Sequence, residues 1–324
     1  MKYPENRNKF PCVEAFPEDF LTNDEIEKYI KNIDSINFKK DDWKKLLNCV
    51  HCNECGTSHE RALLLNKYVE SRFEYPDLEN IQKNFQMFDT PYPTNQMRIK
   101  IPPNISSESD TLFFMGCLST IRIPRYTEHA LEYLLKNNIK FTILEKEICC
   151  GYPAYAAGLM NEYKRLIEKN KEIWKKKGFK KIICLCPACF FIFKRDYNLR
   201  DIEVKFIVDF LKPSSIKKSG SVSIQYLCQL NNRGFKGYDE KINQILRESG
   251  YEIIDIPHWC CGGGIGYFGR IDVINKIAEK RMKDFRGNYY TTYCSGCFWI
   301  LKTFKKHLED RNQIELKDIF ELIS

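Results

Sequence analysis

Three observations predict an α/β protein built from two tandem βαβ domains behind a mainly helical N-terminal module. From residue 111 onward, short apolar runs alternate with amphipathic helical stretches, the pattern of parallel βαβ units. Within that region a cysteine pattern occurs twice, which marks an internal duplication with a period of about 110 residues. Ahead of it lies a helix-patterned stretch that ends in a run rich in proline and serine. The predicted boundaries are 1–110, 111–219 and 220–324.

The duplication is carried by ten thiols. The first copy contains Cys117, then Cys149-Cys150-Gly151, then Cys186-Pro187-Ala188-Cys189. The second contains Cys228, then Cys260-Cys261-Gly262, then Cys294-Ser295-Gly296-Cys297. In each copy 32 positions separate the first cysteine from the pair, and the two pairs stand 111 positions apart.

Taken in order, Thr22 and Glu25 form a capping-box pattern, with Ile26, Tyr29, Ile30 and Ile33 following at helical spacing. Trp43, Leu46, Leu47 and Val50 extend that logic into a second helix. Cys49, Cys52 and Cys55 then make a C-x2-C-x2-C run, and His59 stands where a fourth cysteine of a ferredoxin-like run would fall. The segment from Phe88 to Asp110 carries Pro91, Pro93, Pro102 and Pro103 and reads as a domain boundary. Beyond it, Leu112–Met115 is an expected strand ending at Cys117, and about Tyr126–Asn137 an expected helix. Lys140–Leu144 is the next strand and delivers Cys149 and Cys150. A longer helix presents Tyr163, Leu166, Ile167, Ile173 and Trp174, and Lys181–Leu185 is the third strand, leading into Cys186. The series restarts after Pro213–Gly220, with strands at Val222–Leu227, Tyr251–Asp255 and Tyr289–Tyr293 and a closing helix over Leu316–Ile323. The cysteines thus fall at the carboxyl ends of strands, where such sheets bind ligands.

The 324-residue chain is 43% hydrophobic and 29% charged, ordinary values for a globular protein with real cores. No apolar run reaches the roughly 18 residues of a membrane span. The opening residues lead into no hydrophobic stretch, so a signal peptide is not expected and a cytoplasmic, reducing location is. There, 15 cysteines read as metal ligands rather than disulfides. The net charge of +8 comes from lysines on helix faces, such as Lys175–Lys177 before Gly178, and no aromatic-basic motif accompanies it, so a nucleic-acid partner is not expected. No GxGxxG opens a βαβ unit, which argues against hydride acceptance by this chain.

Soft thiolates select iron–sulfur clusters, zinc or Cu(I). Four would satisfy a zinc ion or a cubane, and five per copy exceed that need. Adjacent cysteines rarely both bind one compact ion but suit two irons of a larger cluster. Cys184, inside the third strand, reads instead as a buried small hydrophobe. In isolation, Cys186/Cys189 or Cys294/Cys297 also fits a redox CxxC acting by thiol–disulfide exchange.

The doubled C…CCG…CxxC pattern resembles the CCG-domain, or cysteine-rich domain, iron–sulfur proteins, and within them the catalytic component of heterodisulfide reductase. The resemblance covers about residues 111–324. It implies Rossmann-like CCG domains, each able to hold a noncubane [4Fe-4S] cluster. One would be held by Cys117, Cys149, Cys150, Cys186 and Cys189, the other by Cys228, Cys260, Cys261, Cys294 and Cys297. It further implies reduction of a disulfide of the CoM-S-S-CoB type between the clusters, with electrons supplied by an iron–sulfur or flavoprotein partner subunit.

The N-terminal module resembles a shrunken ferredoxin-like domain. A [4Fe-4S] cluster at Cys49, Cys52 and Cys55 would take its fourth ligand from Cys12 or His59, or leave one iron open; zinc or no metal are the alternatives. His51 reads as a neighbour of that site rather than a ligand. Gln229 follows Cys228 where many relatives carry His, so the two pockets differ. His258 is either a proton donor near the second site or a structural histidine. Two further readings compete: a non-catalytic electron-transfer subunit of a flavin-linked dehydrogenase or oxidase, and a zinc-binding interaction protein.

Overall fold

The computed structural model describes residues 10–106, 108–265, 270–305 and 314–324. Its first part is helical: α1 (Pro11–Ala15), α2 (Asn23–Lys31), α3 (Trp43–Leu46), α4 (Ser58–Glu70) and α5 (Leu78–Phe88). The capping box forms as expected, with Thr22 accepting from the Glu25 amide and the Glu25 side chain accepting from the Thr22 amide. Val50 does not continue a helix; α3 stops at Leu46, and Val50 is buried in the loop that carries the cysteine run.

Two parallel sheets follow. The first contains β1 (Thr111–Phe114), β2 (Lys181–Cys184) and β3 (Glu203–Phe206), in the order β1-β2-β3. Its helices are α6 (Cys117–Arg122), α7 (Pro124–Lys136), α8 (Tyr152–Ala156), α9 (Met160–Lys177) and α10 (Pro187–Arg195). The second sheet contains β4 (Ser221–Gln225), β5 (Glu252–Ile254), β6 (Tyr289–Thr292) and β7 (Glu315–Leu316), in the order β5-β4-β6-β7. Around it lie α11 (Cys228–Asn231), α12 (Tyr238–Ser249), α13 (Ile271–Met282), α14 (Ser295–Thr303) and α15 (Ile319–Ile323). Every strand pair among the described residues is parallel. Central strands are accordingly apolar and covered on both faces, as β1 shows with all four residues buried.

The expected strand at Lys140–Leu144 is reduced to one parallel bridge, Thr142 to Leu112. Beyond it the chain leaves the sheet edge, and the Glu147 carboxylate reaches back to the amides of Met115 and Gly116. With that bridge counted, the first sheet runs bridge-β1-β2-β3 and the second β5-β4-β6-β7, so the duplication is visible in the topology. Each sheet also gains an edge strand that the apolar pattern did not mark, β3 and β7. Leu316 belongs to β7, and the closing helix starts only at Ile319.

One continuous apolar core joins all parts, from Ile26, Leu64 and Phe85 through Phe113 and Ile183 to Ile224 and Leu301. The proline-rich segment after α5 is tied down rather than free. The Asp89 carbonyl accepts from the Cys149 amide at 3.0 Å, the Arg98 amide donates to Thr120 O at 2.9 Å, and the Lys100 amide donates to Glu128 at 2.8 Å.

Candidate metal centres

The first set of thiols is assembled at strand ends. Cys117 opens α6 just after β1, preceded by Gly116 at φ +88. That positive φ strains any L side chain, so the turn calls for glycine, beside Cys189 Sγ. The buried Glu147 carboxylate fixes this turn from behind, accepting at 2.8 and 2.7 Å from Met115 and Gly116. Burial pushes its pKa up to about 7 against the pull of those two amides. Cys149 Sγ lies 3.6 Å from Cys117 Sγ. The backbone of the pair is clamped: Asn170 donates to Cys149 O, and the Tyr197 hydroxyl donates to Cys150 O, each at 3.0 Å. Cys186 follows β2 as the N-cap of α10, and Cys189 sits in that helix's first turn.

The second set repeats the plan. Cys228 opens α11 after β4, with its sulfur 3.9 Å from Cys260 Sγ. Cys261 Sγ lies 3.3 Å from Cys297 Sγ. The glycine amides donate to sulfur, Gly262 N to Cys260 at 3.3 Å and Gly263 N to Cys261 at 3.4 Å. Cys294 caps α14 and accepts from the Cys297 amide at 3.3 Å. In both sets the second cysteine of the pair is held well below the ordinary thiol value by its neighbours, Cys150 by Cys149 and Cys189, and Cys261 by Cys260 and Cys297.

The surroundings of the sets differ. Arg281 is buried beside the second, donating to Gln225 Oε1 and Pro257 O at 2.6 Å and to Asp284 at 3.1 Å, and its charge favours the Cys261 thiolate. The Glu147 carboxyl stands in the corresponding neighbourhood of the first. The sequence held a signal for Arg281, which lies on the same helical stripe as Ile274, Ile277 and Ala278 and so puts a charge at a core position.

At the N-terminus the structure brings Cys12 of α1 to the run of three: its thiol is raised by burial first and then by Cys49 and Cys52. All four are buried. Arg61, another charge on a core stripe, lies buried beside them and counters part of the rise in Cys49, whose thiol burial pushes to about 12. His59 goes elsewhere. It is exposed, stacks on Tyr155 and shares a 2.7 Å hydrogen bond with that hydroxyl. His51 is buried, and burial reinforced by Arg233, Arg61 and Arg195 lowers its pKa to about 3, so it is neutral at physiological pH. Cys52 packs beside Cys260 in a small apolar cluster with Val50, Val273 and Ile277. Cys184 is fully buried in β2, its thiol raised well above the ordinary value by burial.

Nine of the ten repeated cysteines line one partly open hollow between the two sets; only Cys149 is set back from it. Gln229 bridges the parts around it, accepting from the Tyr152 hydroxyl and donating to His51 O, both at 3.1 Å. His258 is not in this lining. It is exposed, stacks on Tyr226 at 4.7 Å, and borders a separate outer hollow that also reaches Cys52, Cys228 and Cys260.

A family model described as the cysteine-rich domain, CCG, matches residues 111–194 and again 222–302. The chain belongs to the CCG family. Among curated relatives, the B component of the fumarate reductase (CoM/CoB) of Methanothermobacter marburgensis is 24% identical over 65% of this chain and 45% of its own length. The D component of the dihydromethanophenazine:CoB--CoM heterodisulfide reductase of Methanosarcina mazei is 27% identical over 73% of this chain and 66% of its own. An EtfAB:quinone oxidoreductase of Syntrophomonas wolfei is 25% identical over 69% of this chain and 35% of its own. The chain therefore spans only part of the length of each.

The CCG thiols fit an iron–sulfur group on their own chemistry. All ten donors are sulfur, glycine amides donate to two of them in the second set, and a buried titratable side chain, Glu147 or Arg281, sits behind each set. Among the described residues, the tight trio of His, Cys, Asp or Glu ligand atoms within 4.8 Å of one another is His129, Asp318 and Glu321, not three thiols. A single tetrahedral zinc, with Zn–S near 2.3 Å, would bring its thiols to roughly 3.8 Å from each other. Five sulfurs in each set exceed the four that one such ion takes, which suits a group larger than one ion. The non-sulfur trio is a helix cap: Asp318 and Glu321 each accept from the other's backbone amide at 2.9 Å.

Proposed function

We propose that this chain is the cluster-bearing part of an iron–sulfur oxidoreductase that reduces a small-molecule disulfide in the cavity between its two CCG sets. The observation that carries the reading is the shared cavity, onto which nine thiols from both repeats open. Groups held by Cys117, Cys149, Cys150, Cys186 and Cys189 on one side, and by Cys228, Cys260, Cys261, Cys294 and Cys297 on the other, would face the same substrate. When bound, iron–sulfur clusters supply Lewis-acidic iron and single electrons to a sulfur substrate; the noncubane [4Fe-4S] form is part of this proposal. Two electrons and two protons convert one disulfide to two thiols, and the electrons come from a partner iron–sulfur protein or flavoprotein.

The protein's own residues prepare that site. Glu147, Asn170 and Tyr197 immobilise the first set's backbone, and Gly262 and Gly263 offer amides to the second set's sulfurs. Arg281 keeps a positive charge beside Cys261. Cys12, Cys49, Cys52 and Cys55 are proposed to hold a further [4Fe-4S] group, and the packing of Cys52 on Cys260 puts that group's thiols next to the second set. This gives a short path for electrons entering from the N-terminal side. His258 borders the outer hollow rather than the cavity and is not assigned a proton-transfer role.

A second reading, an electron-transfer protein that does no substrate chemistry, is favoured by one observation: a quinone oxidoreductase stands among the relatives beside the disulfide reductases. The test is iron, acid-labile sulfide and zinc content on anaerobically purified protein, followed by EPR of the oxidised protein with added thiols. About eight irons for the two sets, and about four more for the N-terminal site, are expected with a thiol-dependent signal. The same iron without any response to thiols supports the electron-transfer reading. Zinc without sulfide overturns both.

A further inference from the structure

The N-terminal thiols come from two separate stretches, and the shorter of them cannot hold itself in place. Cys49, Cys52 and Cys55 share the loop between α3 and α4, whereas Cys12 sits in α1, a helix of five residues followed by the turn Pro17–Asp19. A helix that short is unstable alone, because too few hydrogen bonds offset the cost of nucleation. The position of Cys12 is therefore set by what residues 10–20 pack against.

One side of this strap faces the cysteine run. Asn48 donates to the Cys12 and Phe16 carbonyls, both at 3.3 Å, and Phe10 packs with Cys12 and Cys55. The other side faces the second repeat. Val273 and Ile277, one turn apart on α13, pack with Ala15 and also with Cys52 and Cys260. Lys276 and Lys280, likewise one turn apart, are exposed and reach over the strap. Lys276 Nζ donates at 3.0 Å to Ala15 O, one of the last carbonyls of α1, which has no acceptor role within so short a helix. The same ammonium lies 3.7 Å from the centroid of the Phe16 ring, and the Arg270 guanidinium lies 4.7 Å from it. Lys280 pairs with Glu14. Arg270, itself buried, donates to Asp19 at 2.7 Å and to Lys44 O at 2.8 Å. Three cations of the second repeat thus grip a segment that carries a thiol of a different site.

We propose that Lys276, Lys280 and Arg270 are positioning residues for the N-terminal site, seating Cys12 as its fourth ligand, so that the second repeat completes that site. This rests on the reading that Cys12, Cys49, Cys52 and Cys55 hold an iron–sulfur group, and it names what makes that ligand set complete. With the grip weakened, the three thiols of the loop remain in place, and the iron assigned to Cys12 is the one that can leave. Removal of one electron by ferricyanide, with departure of one ferrous ion, then leaves a three-iron cluster that has its own EPR signal.

The experiment uses the full chain, purified anaerobically with its iron. Ferricyanide is added, and the rate at which the three-iron signal appears is measured beside the iron released. Cys12→Ser is the reference, in which the signal forms fastest. The double variant Lys276→Gln, Lys280→Gln, changed only at exposed positions, is expected to form the same signal about tenfold faster than the parent. That factor is the combined effect of an exposed ion pair, a cation–π contact and a charged hydrogen bond. Lys276→Arg with Lys280→Arg keeps both charges and stays near the parent rate. If Cys12→Ser forms the signal rapidly and the glutamine variant keeps the parent rate, the inference falls alone. If Cys12→Ser behaves as the parent does, Cys12 is not a ligand and the inference falls with that assignment. If the parent holds no iron beyond the roughly eight of the two CCG sets, the N-terminal iron–sulfur reading falls and takes this inference with it, while the disulfide-reduction reading stands.

Discussion

Arg281 gives the second set of thiols a buried positive charge, whereas the first set has the Glu147 carboxyl, which burial holds near half-protonation at neutral pH. A buried guanidinium beside the second set favours whichever state carries more negative charge, so it raises the reduction potential there. Arg281→Met is therefore expected to lower the potential assigned to the second set by on the order of 50–100 mV, the effect of one charge several ångströms away at an effective dielectric near 20. A potentiometric EPR titration reads this directly; an unchanged potential would show that solvent screens the guanidinium. Another residue-scale expectation concerns His129, whose pKa is raised chiefly by its 2.6 Å hydrogen bond to Asp318. The folded value exceeds the unfolded one of about 6.5, so this stabilisation is complete below about pH 6.5 and is lost as pH rises through the raised value. The thermal midpoint should decline across that window in the parent protein and stay flatter in His129→Gln. Both thiol sets were legible residue by residue because spacing repeated. Arg281, Arg61 and Glu147 were visible only as charges among apolar neighbours, and their targets lie on other elements, which spacing does not reveal.

At the scale of elements, the strands that deliver cysteines were readable because each is apolar and ends at a thiol. β3 escaped because Glu203-Val204-Lys205-Phe206 alternates polar and apolar over only four residues instead of forming an apolar run, and β7 because two residues make no pattern. Lys140–Leu144 was apolar enough to promise a strand, yet the chain departs early to bring Glu147 under the Gly116 turn. The glycines after Cys261 belong to this scale as well, since they let one loop nest against another. A Cβ on Gly264 would lie 1.8 Å from Val50 O, in the loop that carries the N-terminal thiols. Gly264→Ala is expected to destabilise the protein by roughly 1–3 kcal/mol or more and to lower its iron content, because backbone rather than a pliant side chain must yield. Gly178→Ala is the control: nothing lies within 4 Å there, and only the left-handed backbone, φ +72, resists, at about 1–2 kcal/mol. Equal losses from the two, measured by thermal melts and iron analysis, would mean that the Val50 contact contributes nothing.

For the whole molecule, the three stretches separated by their sequence patterns share a single core, and their thiol sites meet: Cys52 lies on Cys260, Gln229 holds His51, and Asp89 holds Cys149. The composition breaks at the proline-rich segment and near Pro213 were visible in the sequence. The contacts that cancel their independence were not, because each joins residues far apart in the chain and leaves no local pattern. The nesting of Val50 against Gly264 has a bearing on how the protein is made. During synthesis the N-terminal cysteines leave the ribosome long before the loop that closes over them is translated. If the N-terminal thiols hold the group proposed for them, their pocket is closed over only once the second repeat has been made.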